Sequence, residues 1–155
     1  MAKTFKQLIA DILPEIEELF PWDLEELLEK NNNTLLVDIR EIDEFESAYI
    51  KDSLHVPRGI LESACDWGYA DTIPELVNAR ERPVIVICRS GNRSALAAFT
   101  MQLMGYSNVT SLQTGIKGWN DSDLPLLDAK GESVDPDWAD EFFNPPVREE
   151  QLSVV

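Results

Sequence analysis

A chain of 155 residues with 13 Lys+Arg against 29 Asp+Glu carries a formal net charge of −16, and its length suits one domain rather than two. Such a surface repels nucleic-acid phosphates and anionic lipid, which excludes general nucleic-acid binding and membrane-surface attachment. A hydrophobic share of 44% excludes a disordered chain, and two cysteines (Cys65, Cys88) with one histidine (His55) are too few for a zinc site or a disulfide framework.

No apolar run approaches the ~20 residues that span a bilayer. After Lys3 and Lys6 there is no continuous apolar stretch with a cleavage site, so no secretory signal is expected. These absences suit a reducing, cytoplasmic setting in which a thiol stays free. Charge is net −5 over residues 1–33, −5 over 34–125 and −6 over 126–155. An anionic substrate must therefore be met by a local island of positive charge.

In chain order, Phe5, Leu8, Ile9, Ile12, Leu13, Ile16, Leu19 and Phe20 recur at helical spacing. They predict a helix over residues 4–20, opened by a Thr4/Gln7 capping box and kinked or split by Pro14. Its apolar face reads as a docking helix over the core, with a partner-binding helix as the alternative. Asp23 reads as the N-cap of a second helix, with Glu26 three residues on, Leu24, Leu27 and Leu28 inward, and Asn31-Asn32-Asn33 as its end. Residues 34–40 read as a buried strand, 41–49 as a short acidic helix, and 53–57 as a second strand ended by Pro57. Residues 60–82 form a mixed, mostly helical connection.

Residues 83–88, Pro-Val-Ile-Val-Ile-Cys, make the clearest strand, and Ser94–Met104 a helix closed by Gly105. Residues 108–112 form another strand, and Gly115–Trp119 opens a last helix. Strands alternating with helices predict an α/β domain with a mainly parallel sheet. Beyond Pro125 the chain is acidic, but Trp138, Phe142 and Phe143 expect packing before a frayed end.

Chemistry concentrates in Cys88-Arg89-Ser90-Gly91-Asn92-Arg93-Ser94. This run puts Cys88 at the carboxyl end of a strand, where open α/β sheets bind ligands. Gly91 permits a tight turn. The free amides at the following helix start can form an anion cradle. Arg89 and Arg93 supply the positive island, and the same surroundings favour a Cys88 thiolate, hence a nucleophile at neutral pH. Cys65 reads as a half-buried structural cysteine, with a resolving Cys65–Cys88 disulfide as the alternative. His55 reads as structural, and no cofactor or metal site is expected.

Leu36-Val37-Asp38-Ile39-Arg40 with Phe45, then Val56-Pro57, the Cys88–Ser94 segment, Gly105-Tyr106, and Gly115-Ile116-Lys117-Gly118-Trp119 together resemble a single-domain rhodanese. The match covers about residues 20–125. The resemblance implies a three-layer fold with an about five-stranded parallel sheet and helices on both faces. It implies sulfurtransfer through a Cys88 persulfide. Residues 89–93 would surround the persulfide, Arg93 would hold the anionic donor, and Ser94 would begin the helix. Asp38 and Arg40 would be a supporting pair near the loop, and Trp119 a packing aromatic. One departure is Ala48-Tyr49-Ile50, where the family has Gly-His-Ile.

The chain then divides into a helical extension (1–19), a rhodanese-like domain (20–125) and an acidic extension (126–155). A sulfane sulfur from thiosulfate or a persulfide would pass to a thiol, to cyanide, or to a protein acceptor with a basic surface. The rival is a persulfide-carrying or redox-sensing module with little thiosulfate turnover. Cysteine phosphatase or arsenate reductase chemistry is disfavoured. Cys88 to Arg93 is Cys-x4-Arg, one residue shorter than the phosphatase loop, and Ile87 stands where tyrosine phosphatases carry His.

Overall fold

Thr4 opens helix α1 (Phe5–Ile12) in the computed structural model, which describes residues 1–31 and 33–153. Its hydroxyl accepts from the Gln7 amide, and the Gln7 side chain accepts from the Thr4 amide. The helix does not run on to residue 20. Pro14 has no N–H to continue the ladder, residues 13–15 tighten into a 3-10 turn, and Glu17–Leu19 form strand β1. The expectation of one kinked helix over 4–20 is corrected there. Residues 17–19 instead pair with an open sheet edge, a tertiary gain that periodicity alone does not register.

Helix α2 (Pro21–Lys30) also begins earlier than expected. Pro21 takes the first helical position, where a missing N–H costs nothing. Phe20 is therefore the N-cap, and Asp23 sits in the first turn as a favourable charge rather than as the cap. Asn31 is the C-cap; Asn32, part of the expected stop, lies outside the described residues.

The remaining strands are β2 (Leu35–Asp38), β3 (Leu54–His55), β4 (Val84–Ile87) and β5 (Val109–Leu112). All pairings are parallel, in the order β1-β5-β4-β2-β3. β2 and β4 are buried along their whole length. Continuous apolar runs of this kind belong to sheets covered on both faces. Alternation along β4 sends Val84 and Val86 into one core and Ile85 and Ile87 into the other.

Helices fill both layers. The first core takes side chains from α4 (Leu61–Ala64), α5 (Pro74–Val77) and α6 (Asn92–Leu103). The second takes them from α2, α7 (Gly115–Asp121) and α8 (Pro136–Phe142). Helix α3 (Ile42–Ser47) follows β2. The acidic segment after residue 125 is anchored by Leu126, Ala139 and Phe143, all buried, and by Leu127, which bridges Tyr49 and Ser133. Among the described residues no helix is long and apolar enough to cross a membrane. Because every strand runs the same way, all carboxyl ends share one edge, and the chain leaves β4 there directly into Cys88.

Candidate active site

Cys88 stands at the end of β4 and is 1% exposed. Its Sγ accepts from the Gly91 amide at 3.1 Å and the Ser94 amide at 3.2 Å. Gly91 is the N-cap residue of α6, and Ser94 lies in its first turn. Amides at a helix start have no intrahelical partner, and no side chain caps this one, so the sulfur satisfies two of them. A negative sulfur is favoured at this position by those dipoles and by the helix behind them.

A hydroxyl pair completes the sulfur's surroundings. The Cys88 thiol lies 3.3 Å from Ser94 Oγ, to which it donates, and Ser94 Oγ lies 2.7 Å from Ser111 Oγ on β5. Both serines are fully buried. With a thiolate, Ser94 donates to sulfur and accepts from Ser111, so the pair serves either protonation state.

The loop is held from behind by the start of α7. Ile116 N donates to Cys88 O at 2.9 Å and Lys117 N to Arg89 O at 3.0 Å. These are free first-turn amides, here paired with loop carbonyls. Two glycines make the approach feasible. Gly91 has φ +97°, and a Cβ there would stand 3.2 Å from Thr114 N. Gly115 has φ +63°, and a Cβ there would collide with Arg89 O and Cys88 O.

The arginines differ from expectation. Arg93 Nη1 and Nη2 each donate to a Glu44 carboxylate oxygen at 2.9 Å. Burial pushes the Glu44 carboxyl up, but the Arg93 bonds outweigh it and hold that carboxyl below its usual range. The bonds to Glu44 push the Arg93 guanidinium up. The expected island of two free cations is thus one neutralised pair and one cation. Arg89, half-buried, forms no ion pair among the described residues. Ser90 and Asn92 are exposed at the mouth.

Asp38 and Arg40 reach this site indirectly. Both side chains are fully buried, with Arg40 Nη2 at 2.7 Å and Nε at 3.0 Å from the Asp38 carboxylate. Arg40 also donates to Glu44 O at 3.3 Å and Ala48 O at 2.7 Å, which spans α3. The pair therefore sets the helix that presents Glu44 to Arg93. His55 Nε2 donates to Arg40 O at 2.7 Å, and its ring stacks on Phe45. Phe45 in turn stacks on Tyr49, which fills the place of the absent Gly-His segment.

Cys65 is a free thiol in the first core, and burial pushes it up. Trp119 is buried, its Nε1 donating to Pro125 O at 2.9 Å. Sequence reasoning missed Glu44, Ser111 and Gly115. Glu44 is one of four acids between residues 41 and 46, and nothing in its spacing distinguishes it. Ser111 lies in a half-polar strand, beside Thr110, so its sequence does not mark it either. Among the described residues no group of three or more His, Cys, Asp or Glu could hold a metal ion.

Comparison with known proteins follows the same outline. The family model described as Rhodanese-like domain matches residues 21–122. A Bacillus subtilis protein named "Putative sulfur carrier protein YrkF" is 32% identical over 111 residues, 71% of this chain. The chain spans only 52% of that relative's length. An Allochromatium vinosum protein named "Sulfurtransferase" is 30% identical over 75% of this chain and 99% of its own. Among solved structures, a Rhodopseudomonas palustris protein of unknown function, described as "Possible Tyrosine Phosphatase", has a TM-score of 0.74 at 29% identity. That alignment covers 81% of this chain and 96% of the other.

Proposed function

The chain belongs to the rhodanese-like domain family, whose relatives here include a sulfurtransferase, and on that premise we propose that Cys88 takes up a sulfane sulfur as a persulfide and passes it on. The observation that carries this reading is the sulfur of Cys88 at a strand end, met by the amides of Gly91 and Ser94. The Cys88 thiolate attacks the outer sulfur of thiosulfate or of a persulfide. The donor's S–S bond breaks as the new one forms, and sulfite or a thiolate leaves with the electron pair. An acceptor thiolate or cyanide then attacks the outer sulfur, and the pair returns to Cys88. Loop amides and Ser94 hold the charge through both steps.

Arg89 is the residue we assign to the donor anion, because Arg93 already carries Glu44. Residues 89–94 shape the cradle, and Asp38 and Arg40 position it through α3. A phosphatase reading, the description attached to the Rhodopseudomonas neighbour, is less favoured. Phosphoryl oxygens need a free arginine fork, and here the fork of Arg93 is occupied.

Thiosulfate enzyme and persulfide carrier remain two settings of one chemistry, and the Bacillus relative's name favours the second. Initial rates with thiosulfate and cyanide decide between them. Parallel double-reciprocal lines at appreciable turnover indicate the enzyme. Rapid persulfide uptake with negligible cyanide turnover indicates the carrier. Turnover that survives Cys88→Ser contradicts both.

A further inference from the structure

Glu44 sets how much positive charge the loop can offer a donor. It lies on α3, and its carboxylate takes both Nη atoms of Arg93 at 2.9 Å. Arg93 stands directly before Ser94, whose amide and hydroxyl meet the Cys88 sulfur. The Arg93 guanidinium is pushed up first by the Glu44 bonds and further by the Cys88 charge, so Arg93 and the sulfur lie in one field. The side chains of Arg93 and Glu44 are 34% and 21% exposed, and charges so sheltered are screened less than surface charges.

The surrounding structure holds the pair in place. Glu44 Oε1 also accepts from the Glu41 amide at 3.4 Å, at the start of α3. Buried Arg40 donates to Glu44 O at 3.3 Å and Ala48 O at 2.7 Å, and Asp38 holds Arg40. The helix, and with it the Glu44 carboxylate, is thereby fixed against the loop. Around the sulfur, Asp38 cancels Arg40, Glu44 cancels Arg93, and Lys117 is paired with Asp121. Glu41, Asp43 and Glu46 add negative charge at the solvent face of α3. Arg89, which forms no ion pair among the described residues, must then balance the Cys88 thiolate and the donor together. A dianion is served worse by that balance than a monoanion.

We infer that Glu44 is a specificity-determining residue: by neutralising Arg93 it selects donors with a single negative charge at the transferring group, persulfides and organic thiosulfonates, over the thiosulfate dianion. The inference rests on Cys88 being the sulfur-accepting residue. The bonds made and broken are the same for every donor. The Cys88 thiolate attacks the outer sulfur, the donor's bond to that sulfur breaks, and sulfite, a sulfinate or a thiolate leaves with the electron pair. Glu44 changes only the electrostatic work of bringing the donor's charge to the loop.

The test pairs thiosulfate with methanethiosulfonate, in which a methyl group replaces one charged oxygen. Second-order rate constants for sulfur loading on Cys88 are measured by quenched-flow intact mass and expressed as the ratio of thiosulfate to methanethiosulfonate. A dianion responds to a changed potential twice as strongly as a monoanion. Glu44→Gln should raise the thiosulfate rate about tenfold and the methanethiosulfonate rate about threefold, so the ratio rises about threefold. Arg93→Gln should lower the ratio by a similar factor. Glu44→Gln/Arg93→Gln, which removes both charges, should return it to the wild-type value. The ratio compares two donors on one protein, so a change in Cys88 reactivity or in the folded fraction cancels from it. The single variants predict opposite signs, so the outcome does not hang on either one. A ratio unmoved in Glu44→Gln overturns the inference. So does a double variant as low as Arg93→Gln, which would make Arg93 the donor's own ligand and Glu44 a bystander.

A second arm reads the same field without sulfur. Iodoacetate and iodoacetamide differ by one charge, and their alkylation of Cys88 is scored on its peptide after digestion. Glu44→Gln should raise the rate ratio of iodoacetate to iodoacetamide about threefold. That shift in a protein that loads sulfur from neither donor would contradict the proposed function and support the charge selection. Sulfur loading from both donors with neither ratio moved by Glu44→Gln would contradict the role of Glu44 and leave the function standing.

Discussion

Glu44 decides what Arg93 can do. The bidentate pair holds the helix start behind Cys88, and its carboxyl sits below the usual carboxylate range. A carboxyl lowered on folding contributes stability above its unfolded pKa, and that contribution is lost as pH falls through the folded value. Chemical denaturation between pH 7 and pH 3 should therefore show a steeper acid loss in wild type than in Glu44→Gln; parallel profiles would contradict the pairing. Arg89, which forms no ion pair among the described residues, should matter most for a small anion. Arg89→Ala should raise KM for thiosulfate about tenfold, the scale of one charge-assisted hydrogen bond, with a smaller effect on kcat. Arg93→Ala should instead lower stability. Cys65, buried and pushed up, should be dispensable: Cys65→Ala should load and retain sulfur as wild type does. A wild type that loses its sulfur as hydrosulfide to a Cys65–Cys88 disulfide, seen by intact mass and absent in Cys65→Ala, would restore the resolving-cysteine alternative.

At the scale of elements, the loop is a junction of β4, α6 and the start of α7. Gly91→Ala should cost about 1–2 kcal/mol for the left-handed backbone alone, and Gly115→Ala more, since its Cβ would meet two carbonyls of the loop. Urea denaturation reads both, and a larger loss for Gly91→Ala would contradict the packing described. Breaking the buried Asp38–Arg40 pair by Arg40→Ala should cost about 3–5 kcal/mol.

Strands β2 and β4 and helix α6 were legible because apolar runs and a Gly-bounded loop declare themselves locally. So was the Cys88 loop, whose chemistry lies within seven consecutive residues. β1 was not, because Glu17-Glu18-Leu19 is a strand only by virtue of its pairing with β5. Glu44 and Ser111 were not, because their roles come from partners 49 and 17 residues away in sequence. Asp23 was misplaced as a cap because Pro21 two residues earlier is the stronger helix starter.

Across the whole molecule, a charge of −16 and Arg89, which forms no ion pair among the described residues, oppose each other. Long-range repulsion is screened within a Debye length of about 8–10 Å at physiological salt. Raising salt should therefore quicken the uptake of sulfur from thiosulfate while slowing transfer to a basic peptide. Stopped-flow rates at two ionic strengths read both, and a thiosulfate rate that falls with salt would mean that Arg89 governs the approach.

The most direct measurement is intact mass after incubation with thiosulfate or glutathione persulfide, followed by peptide mapping, for wild type and Cys88→Ser. One added sulfur atom on the Cys88 peptide of wild type, removed by cyanide and absent from Cys88→Ser, is the predicted result. A wild type that gains no sulfur from either donor, or a Cys88→Ser protein that gains as much, would contradict sulfur transfer at Cys88.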